Sequence, residues 1–326
     1  VYSCNTTKSL NSNKQNKSND SLTFELNEVY KQGHFNGFSV AIVNEKGTLY
    51  QNGIGYANVE TQKKYTENTI QNIGSISKTL VGIALLKAQE LGKLKLDDPI
   101  NKYLPFIVEN PFFSKTQITI RNLATHTSTI TDNEFYLKRN YILKPNQNLN
   151  NVKLFLEDEQ VINPYDSIIT LKTYLQNVLT KEGKWYKKED FLNYKPSEIF
   201  EYSNVATSLA AYIIENATGE SFNKFTEKYI LKPLKMNSSG WKFEDIDFSN
   251  YSRLYQTPDT LLPFYSLITY PDGNFITSSS DLAKYLTELI KGFAGNGTIL
   301  KKESYEEYYR QQLTAKNFIK RNERNP

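Results

Sequence analysis

Apolar positions along the chain follow two different rhythms. From Gly37 to Asn58, GFSVAIVNEKGTLYQNGIGYAN sets two β-rich runs on either side of Glu45, Lys46 and Gly47, which predicts an antiparallel hairpin. In IGSISKTLVGIALL, residues 73–86, Leu80, Val81, Ile83, Ala84, Leu85 and Leu86 cover nearly every face of a helix, so a buried helix is predicted, ended by Gly92. The connection LGKLKLDDPINKYLP is punctuated by Pro99 and Pro105. A second apolar helix, SNVATSLAAYIIENATG (203–219), closes at Gly219. An amphipathic one, SFNKFTEKYILKPL, stops at Pro233, and a further helix runs through DLAKYLTELIKGF, 281–293. Residues from about 106 to 195 are mixed, aromatic and lysine-rich, with helical patches such as Ile168 to Leu179, and read as a largely helical insertion. There is no internal repeat and no low-complexity linker, so the pattern predicts one α/β unit, with two interlocked subdomains.

Composition narrows the function classes. The chain has 326 residues, 39% hydrophobic and 23% charged, enough for a sizeable core. Its 39 Lys+Arg against 35 Asp+Glu leave +4, spread without a basic block, which gives nucleic acid little to bind. The longest apolar stretch, Leu80 to Leu86, falls far short of the roughly 20 residues that span a bilayer. His34 and His126 are the only histidines and stand outside any ligand-spaced cluster, so no metal is expected. The single cysteine, Cys4, excludes an intrachain disulfide.

The N-terminal end has its own signature. The only methionine is Met236, so an upstream segment is expected to have been removed. VYSC followed by NTTKSLNSNKQNKSND resembles the end of a bacterial lipoprotein signal, with Cys4 as the acylated residue and a polar tether after it. The expected organisation is therefore residues 1–20 as lipoprotein-like end and tether, and 21–326 as the folded domain. The expected location is the bacterial cell envelope, lipid-anchored and outside the cytoplasm.

The buried helix raises the chemical question. Ser75 and Lys78 stand one helical turn apart, so the amine can approach the hydroxyl, and burial disfavours the charged ammonium. A helix start also offers unpaired N–H groups beside Ser75, suited to an oxyanion. Ser-x-x-Lys occurs a second time, Ser221 to Lys224, where it opens an amphipathic helix and reads as an N-cap. At Ser75 the helix behind it is apolar all round, so Lys78 is either a costly accident or functional.

Across most of residues 37–310 the chain resembles the serine β-lactamase-like hydrolases, nearest the branch of class C β-lactamases, D-alanyl-D-alanine carboxypeptidases and esterases. The likeness is carried by GFSVAIVNEKGTLYQNGIGYAN, Ser75–Lys78, LGKLKLDDPINKYLP, ITIRNLATHTS and PSEIFEYSNVATSLAAYIIENATGESFNKFTEKYILKPLKM. It implies a β-lactamase/transpeptidase-like α/β fold with a helical subdomain, and acyl-enzyme chemistry without a cofactor. Ser75 would be the nucleophile, Lys78 its activating amine and Tyr202 a proton carrier, while Asn204 would bind Lys78 and the substrate's amide carbonyl. Tyr-x-Asn also occurs at Tyr50–Asn52 and Tyr56–Asn58, but only Tyr202 has the family's flanks. His126 reads as structural, and Thr129 stands where relatives usually carry glycine.

One departure is large. The family's third motif, Lys or His, a small residue, then Gly, has no match after residue 204, and Gly297 is the last glycine. The C-terminal strands are therefore expected to be missing: the sequence stops short of the natural protein, a lesion shortened the gene, or the third wall comes from another chain, with the first two favoured. The hairpin at 37–58 would then expose open edges. The expected substrates are amide or ester bonds of small peptides, cell-wall fragments or β-lactams. The rival reading is a non-catalytic surface module that binds cell-wall peptides or another ligand. A purely structural lipoprotein is a third.

Overall fold

The computed structural model describes residues 6–154 and 160–318; Cys4 lies outside them. Helix α1 (Thr6–Lys31) crosses residue 20 without a break, so the stretch expected as a tether is helical from Thr6 onward. It packs on the hairpin, with Thr23 Oγ1 2.9 Å from the Tyr50 hydroxyl.

The hairpin forms where the two β-rich runs placed it. β1 (Gly37–Asn44) pairs antiparallel with β2 (Gly47–Asn58), leaving Glu45 and Lys46 as a two-residue turn, and Gly47 takes φ 125°, open to glycine alone at low cost. β3 (Lys63–Lys64) adds a short third strand to β2. Among the described residues no strand covers the outer edge of β1.

β4 (Ile70–Asn72) leads into α2 (Ser77–Glu90), and in α2 Leu80, Val81, Ile83, Ala84, Leu85, Leu86 and Ala88 are all buried. Gly92, at φ 67°, turns the chain after it. The stretch 106–195 holds α3 (Ile120–Ala124), α4 (Glu134–Arg139), β5 (Tyr141–Leu143) and α5 (Leu171–Leu179), with short 3₁₀ turns and irregular backbone across the rest of its described residues. Buried asparagines account for this difference from a largely helical insertion. Asn110 Nδ2 donates to the carbonyls of Leu192 and Tyr194, and Asn163 Nδ2 to those of Arg139, Tyr141 and Val161. Loop carbonyls are thus satisfied without helical periodicity.

α6 (Asn204–Thr218) begins at Ser203, whose Oγ accepts the Ala206 N–H at 2.9 Å, and ends at Gly219 with φ 76°. Its residues 205–214 are all buried, and it packs directly on α2. α7 (Phe222–Thr226) passes into one π-helical segment, Glu227–Leu231. Ser221 occupies the cap position but makes no capping bond; its Oγ meets Asn223 Oδ1 at 2.7 Å, and Glu215 accepts the Phe222 N–H instead. A second hairpin joins β6 (Leu254–Thr257) to β7 (Thr260–Leu262). β8 (Tyr265–Leu267) pairs with β5, and the one-turn α8 (Tyr270–Gly273) precedes β9 (Ile276–Ser278), which pairs with β4. α9 (Ser279–Phe293) lies across β1 and β2, and α10 (Lys302–Tyr309) packs on α2 and α9.

One continuous core includes both apolar helices together with Phe222, Phe225, Trp241 and Phe275. Each is the size of side chain whose truncation to alanine typically costs about 3–5 kcal/mol. The two buried helices are therefore fixed against each other, and so are the residues at their starts.

Candidate active site

The starts of α2 and α6 meet at one place. Before α2 the chain makes a 3₁₀ turn over Gly74–Ile76, with Gly74 at φ 54°, so Ser75 sits in this turn rather than inside the helix. Ser75 is exposed and Lys78, in the first turn of α2, is half-buried. The turn is clamped from the β9 side: Ile73 N–H donates to Phe275 O at 3.0 Å, and Phe275 N–H to Ser77 Oγ at 3.1 Å.

Lys78 Nζ donates to Ser75 Oγ at 3.1 Å and to the main-chain oxygen of Asp272 at 2.6 Å. Tyr202 OH donates to Ser75 Oγ at 2.7 Å, and Lys78 Nζ lies 5.0 Å from the centre of the Tyr202 ring. Two residues that the sequence singled out, Lys78 and Tyr202, are thus brought within hydrogen-bond reach of the oxygen of a third, Ser75. Such a cluster can take a proton from a hydroxyl and pass it on.

Tyr202 is held by His126. Glu201 N–H donates to His126 O at 2.8 Å and Ser203 N–H to His126 Nδ1 at 3.2 Å, while the His126 ring lies 4.6 Å from that of Tyr202. Burial, with the Lys78 charge as a lesser cause, pushes the His126 imidazole down to about 4, so the ring is neutral and its Nδ1 accepts. The turn around it is strained: His126 has φ 55°, Thr129 φ 71° and Ser197 φ 77°. Left-handed backbone costs a β-branched residue such as Thr129 about 1–3 kcal/mol. Asn110 and Asn122 hold it in place, donating to Thr129 Oγ1 and Ser197 Oγ, each at 2.7 Å.

Asn204 is placed differently from expectation. Its Nδ2 donates to Asp132 Oδ2 at 2.6 Å, and no hydrogen bond joins it to Lys78. Asp132 also accepts the N–H groups of Asn204 at 2.7 Å and Val205 at 3.1 Å. The cause is local: a half-buried carboxylate beside a helix start gathers donors there. Burial pushes the Asp132 carboxyl up while these donors pull it down.

Two acids of this neighbourhood, Asp132 and Asp272, carry no spacing signal in the sequence. Asp272 is 1% exposed; burial pushes its carboxyl up to about 7, against the lowering pull of Lys78. Among the described residues, no group of three or more His, Cys, Asp and Glu could hold a metal ion.

Residues 20–325 match the Beta-lactamase family. The chain belongs to that family. Among its β-lactamase-like relatives, Protein flp of Staphylococcus aureus (strain COL) is 27% identical over 276 residues, 83% of this chain and 49% of its own. The Putative penicillin-binding protein PbpX of Bacillus subtilis (strain 168) is 27% identical over 282 residues, 84% of this chain and 59% of its own. The chain thus spans about half the length of the curated relatives it matches. The octameric penicillin-binding protein homologue from Pyrococcus abyssi superposes with TM-score 0.62 at 25% identity, covering 87% of this chain and 58% of that one. Beta-Lactamase/D-Alanine Carboxypeptidase from Pseudomonas syringae gives TM-score 0.62 at 19% identity over 89% and 69%, a likeness of fold. The α/β fold is therefore of the β-lactamase/transpeptidase kind, with helical insertions. These matches give no support to the expectation that a C-terminal portion is lacking.

Proposed function

We propose that the protein is a serine hydrolase that forms an acyl-enzyme at Ser75 on amide or ester bonds of small peptides, cell-wall fragments or β-lactams. The observation that carries this reading is the convergence of Tyr202 OH and Lys78 Nζ on Ser75 Oγ, at 2.7 and 3.1 Å. In acylation, Ser75 Oγ bonds to the carbonyl carbon of the substrate. Its proton passes to the Lys78–Tyr202 pair. Tyr202 then delivers a proton to the departing amine or alkoxide as the acyl bond breaks. The Ser75 N–H, in the 3₁₀ turn ahead of α2, is the candidate oxyanion donor. Water completes the cycle: its hydroxyl portion bonds to the acyl carbon, its proton passes through the same pair to Ser75 Oγ, and the bond between Oγ and the acyl carbon breaks to release the acid.

Asn204 supports the start of α6 through Asp132 and still has a second amide hydrogen and its Oδ1 for a substrate amide. The chemistry needs no cofactor. Location follows the VYSC end: a lipid on Cys4 would hold the protein at the envelope, outside the cytoplasm, and no described helix is long and apolar enough to cross a membrane.

Turnover of a chromogenic cephalosporin and a p-nitrophenyl ester, with Ser75→Ala as the blank, tests the reading. Hydrolysis that disappears in the variant is expected. Saturable binding of these compounds with no turnover by either protein would favour the non-catalytic surface module.

A further inference from the structure

Between α4 and the loop 184–190 lies a cavity of about 670 Å³, and none of Ser75, Lys78, Tyr202 and Asn204 lines it. Its size is that of a small-molecule site. Trp185 forms an aromatic wall: Phe135 of α4 stacks on the indole with ring centres 4.0 Å apart, and Asn177 of α5 receives the Trp185 N–H on its main-chain oxygen and the Lys184 N–H on Oδ1, each at 3.0 Å. The wall is thus held from two helices. Asp190 lines the same cavity and is 9% exposed; its main-chain oxygen accepts the Thr131 N–H at 2.9 Å and hydroxyl at 3.0 Å, while its Oδ2 has no hydrogen-bond partner. Buried polar atoms are seldom left so. Glu134 pairs with Lys187 at 2.6 Å and with Lys138 at 3.3 Å, but among the described residues neither Arg139 nor Lys184 has an acidic partner, and both are exposed.

We propose that this cavity binds an acidic sugar, with the C–H face of the ring on Trp185, the carboxylate on Arg139 and Lys184, and a ring hydroxyl donating to Asp190. It does not depend on Ser75 being a nucleophile. An aromatic face beside polar groups suits a ligand that is apolar on one side and polar on the other, as a sugar ring is. Two cations without acids favour a carboxylate, which a guanidinium binds through two parallel hydrogen bonds. An ionised carboxyl only accepts, so Asp190 calls for a donor, and a polyhydroxylated ring carries several. A turn of the carboxyl about its last bond presents Oδ2 to such a hydroxyl. An aromatic acid would satisfy Trp185 and the cations but leave Oδ2 unpaired. A nucleoside phosphate would bring a second negative charge into a cavity already lined by Asp190 and Glu134.

The chain has two tryptophans, and Trp241 is 1% exposed within the core, so a ligand in this cavity is read by Trp185 emission. The probes are N-acetylmuramic acid and N-acetylglucosamine, which differ by a carboxylate-bearing lactyl group, with AMP as the phosphate counterpart. N-acetylmuramic acid should give a saturable change in emission that is lost in Trp185→Phe. N-acetylglucosamine should bind more weakly by about tenfold or more, the usual worth of a charge-assisted hydrogen bond. In Arg139→Ala, a change at an exposed side chain, affinity for the acidic sugar should fall by about as much, tenfold, while that for the neutral sugar stays. Asp190→Asn should weaken both sugars. Calorimetry supplies the affinities and circular dichroism the fold of each variant; if Asp190→Asn does not fold, Arg139→Ala decides. No saturable binding of N-acetylmuramic acid at millimolar concentration overturns the proposal. So do equal affinities for the two sugars, undiminished binding in Arg139→Ala, a response that persists in Trp185→Phe, or tighter binding of AMP.

Discussion

Asp132 holds Asn204 twice, accepting the side-chain Nδ2 at 2.6 Å and the main-chain N–H at 2.7 Å. This pair fixes both the start of α6 and the amide that the cleft is proposed to use. Asp132→Ala removes the acceptor for four described donors, counting Val205 N–H and the Ser203 hydroxyl at 3.4 Å, and leaves them at a buried helix start. The expected loss is about 2–4 kcal/mol, as for unsatisfied buried donors and a lost cap. Thermal unfolding should show a fall of several degrees in Tm. An unchanged Tm would mean that water replaces the carboxylate without cost.

Tyr202→Phe separates chemistry from packing. The ring contact with His126 at 4.6 Å remains, while the hydroxyl 2.7 Å from Ser75 Oγ is lost. Acylation should slow by about 10²-fold or more, the usual contribution of a positioned acid–base group, with Tm nearly unaltered. Lys78→Ala should slow it comparably. Stopped-flow labelling and a melting curve check both together, and a Tyr202→Phe protein as fast as the original would remove Tyr202 from the chemistry.

Acid stability provides a test of His126. Its imidazole titrates near 4 in the folded protein against about 6.5 when unfolded, so the unfolded chain takes up a proton first as pH falls. Folded-state stability is therefore lost between about pH 6.5 and 4, by up to about 3 kcal/mol from this group. Asp272 works in the opposite sense: raised to about 7, it takes up its proton first in the folded state and adds stability over much of the same range. His126→Asn suits the left-handed backbone at φ 55° and keeps an acceptor for Ser203 N–H, but cannot titrate. Urea unfolding at pH 7.5 and 4.5 should show a smaller acid loss in His126→Asn and a larger one in Asp272→Asn. The same pH dependence in all three proteins would contradict both assignments.

Much of this was legible in the chain where periodicity reports burial directly. The two β-rich runs around Glu45, Lys46 and Gly47 pointed to the hairpin, and the apolar runs after Ser75 and Ser203 to α2 and α6. The spacing and flanks of Ser75, Lys78 and Tyr202 carry a pattern, and the structure brings the three side chains together. The middle segment was legible only at α5, which falls in the helical patch expected at Ile168 to Leu179, since Asn110, Asn122 and Asn163 hold its loops through long-range side-chain bonds that leave no period. Asp272 and Asp132 were missed for a related reason. Each is one of 35 acids, reaching its partner across 194 and 72 positions, and Asp272 sits in a Pro-Asp-Gly that reads as an ordinary turn. The signal that marks them, burial beside a lysine, exists only once the chain is folded.

The most direct test of the account is whether Ser75 becomes covalently acylated. Incubation with a penicillin or a fluorophosphonate, followed by intact-mass and peptide mass spectrometry, should show one adduct on the peptide containing Ser75 and none in Ser75→Ala. An adduct that persists in Ser75→Ala, or one that maps to Ser221, would contradict it.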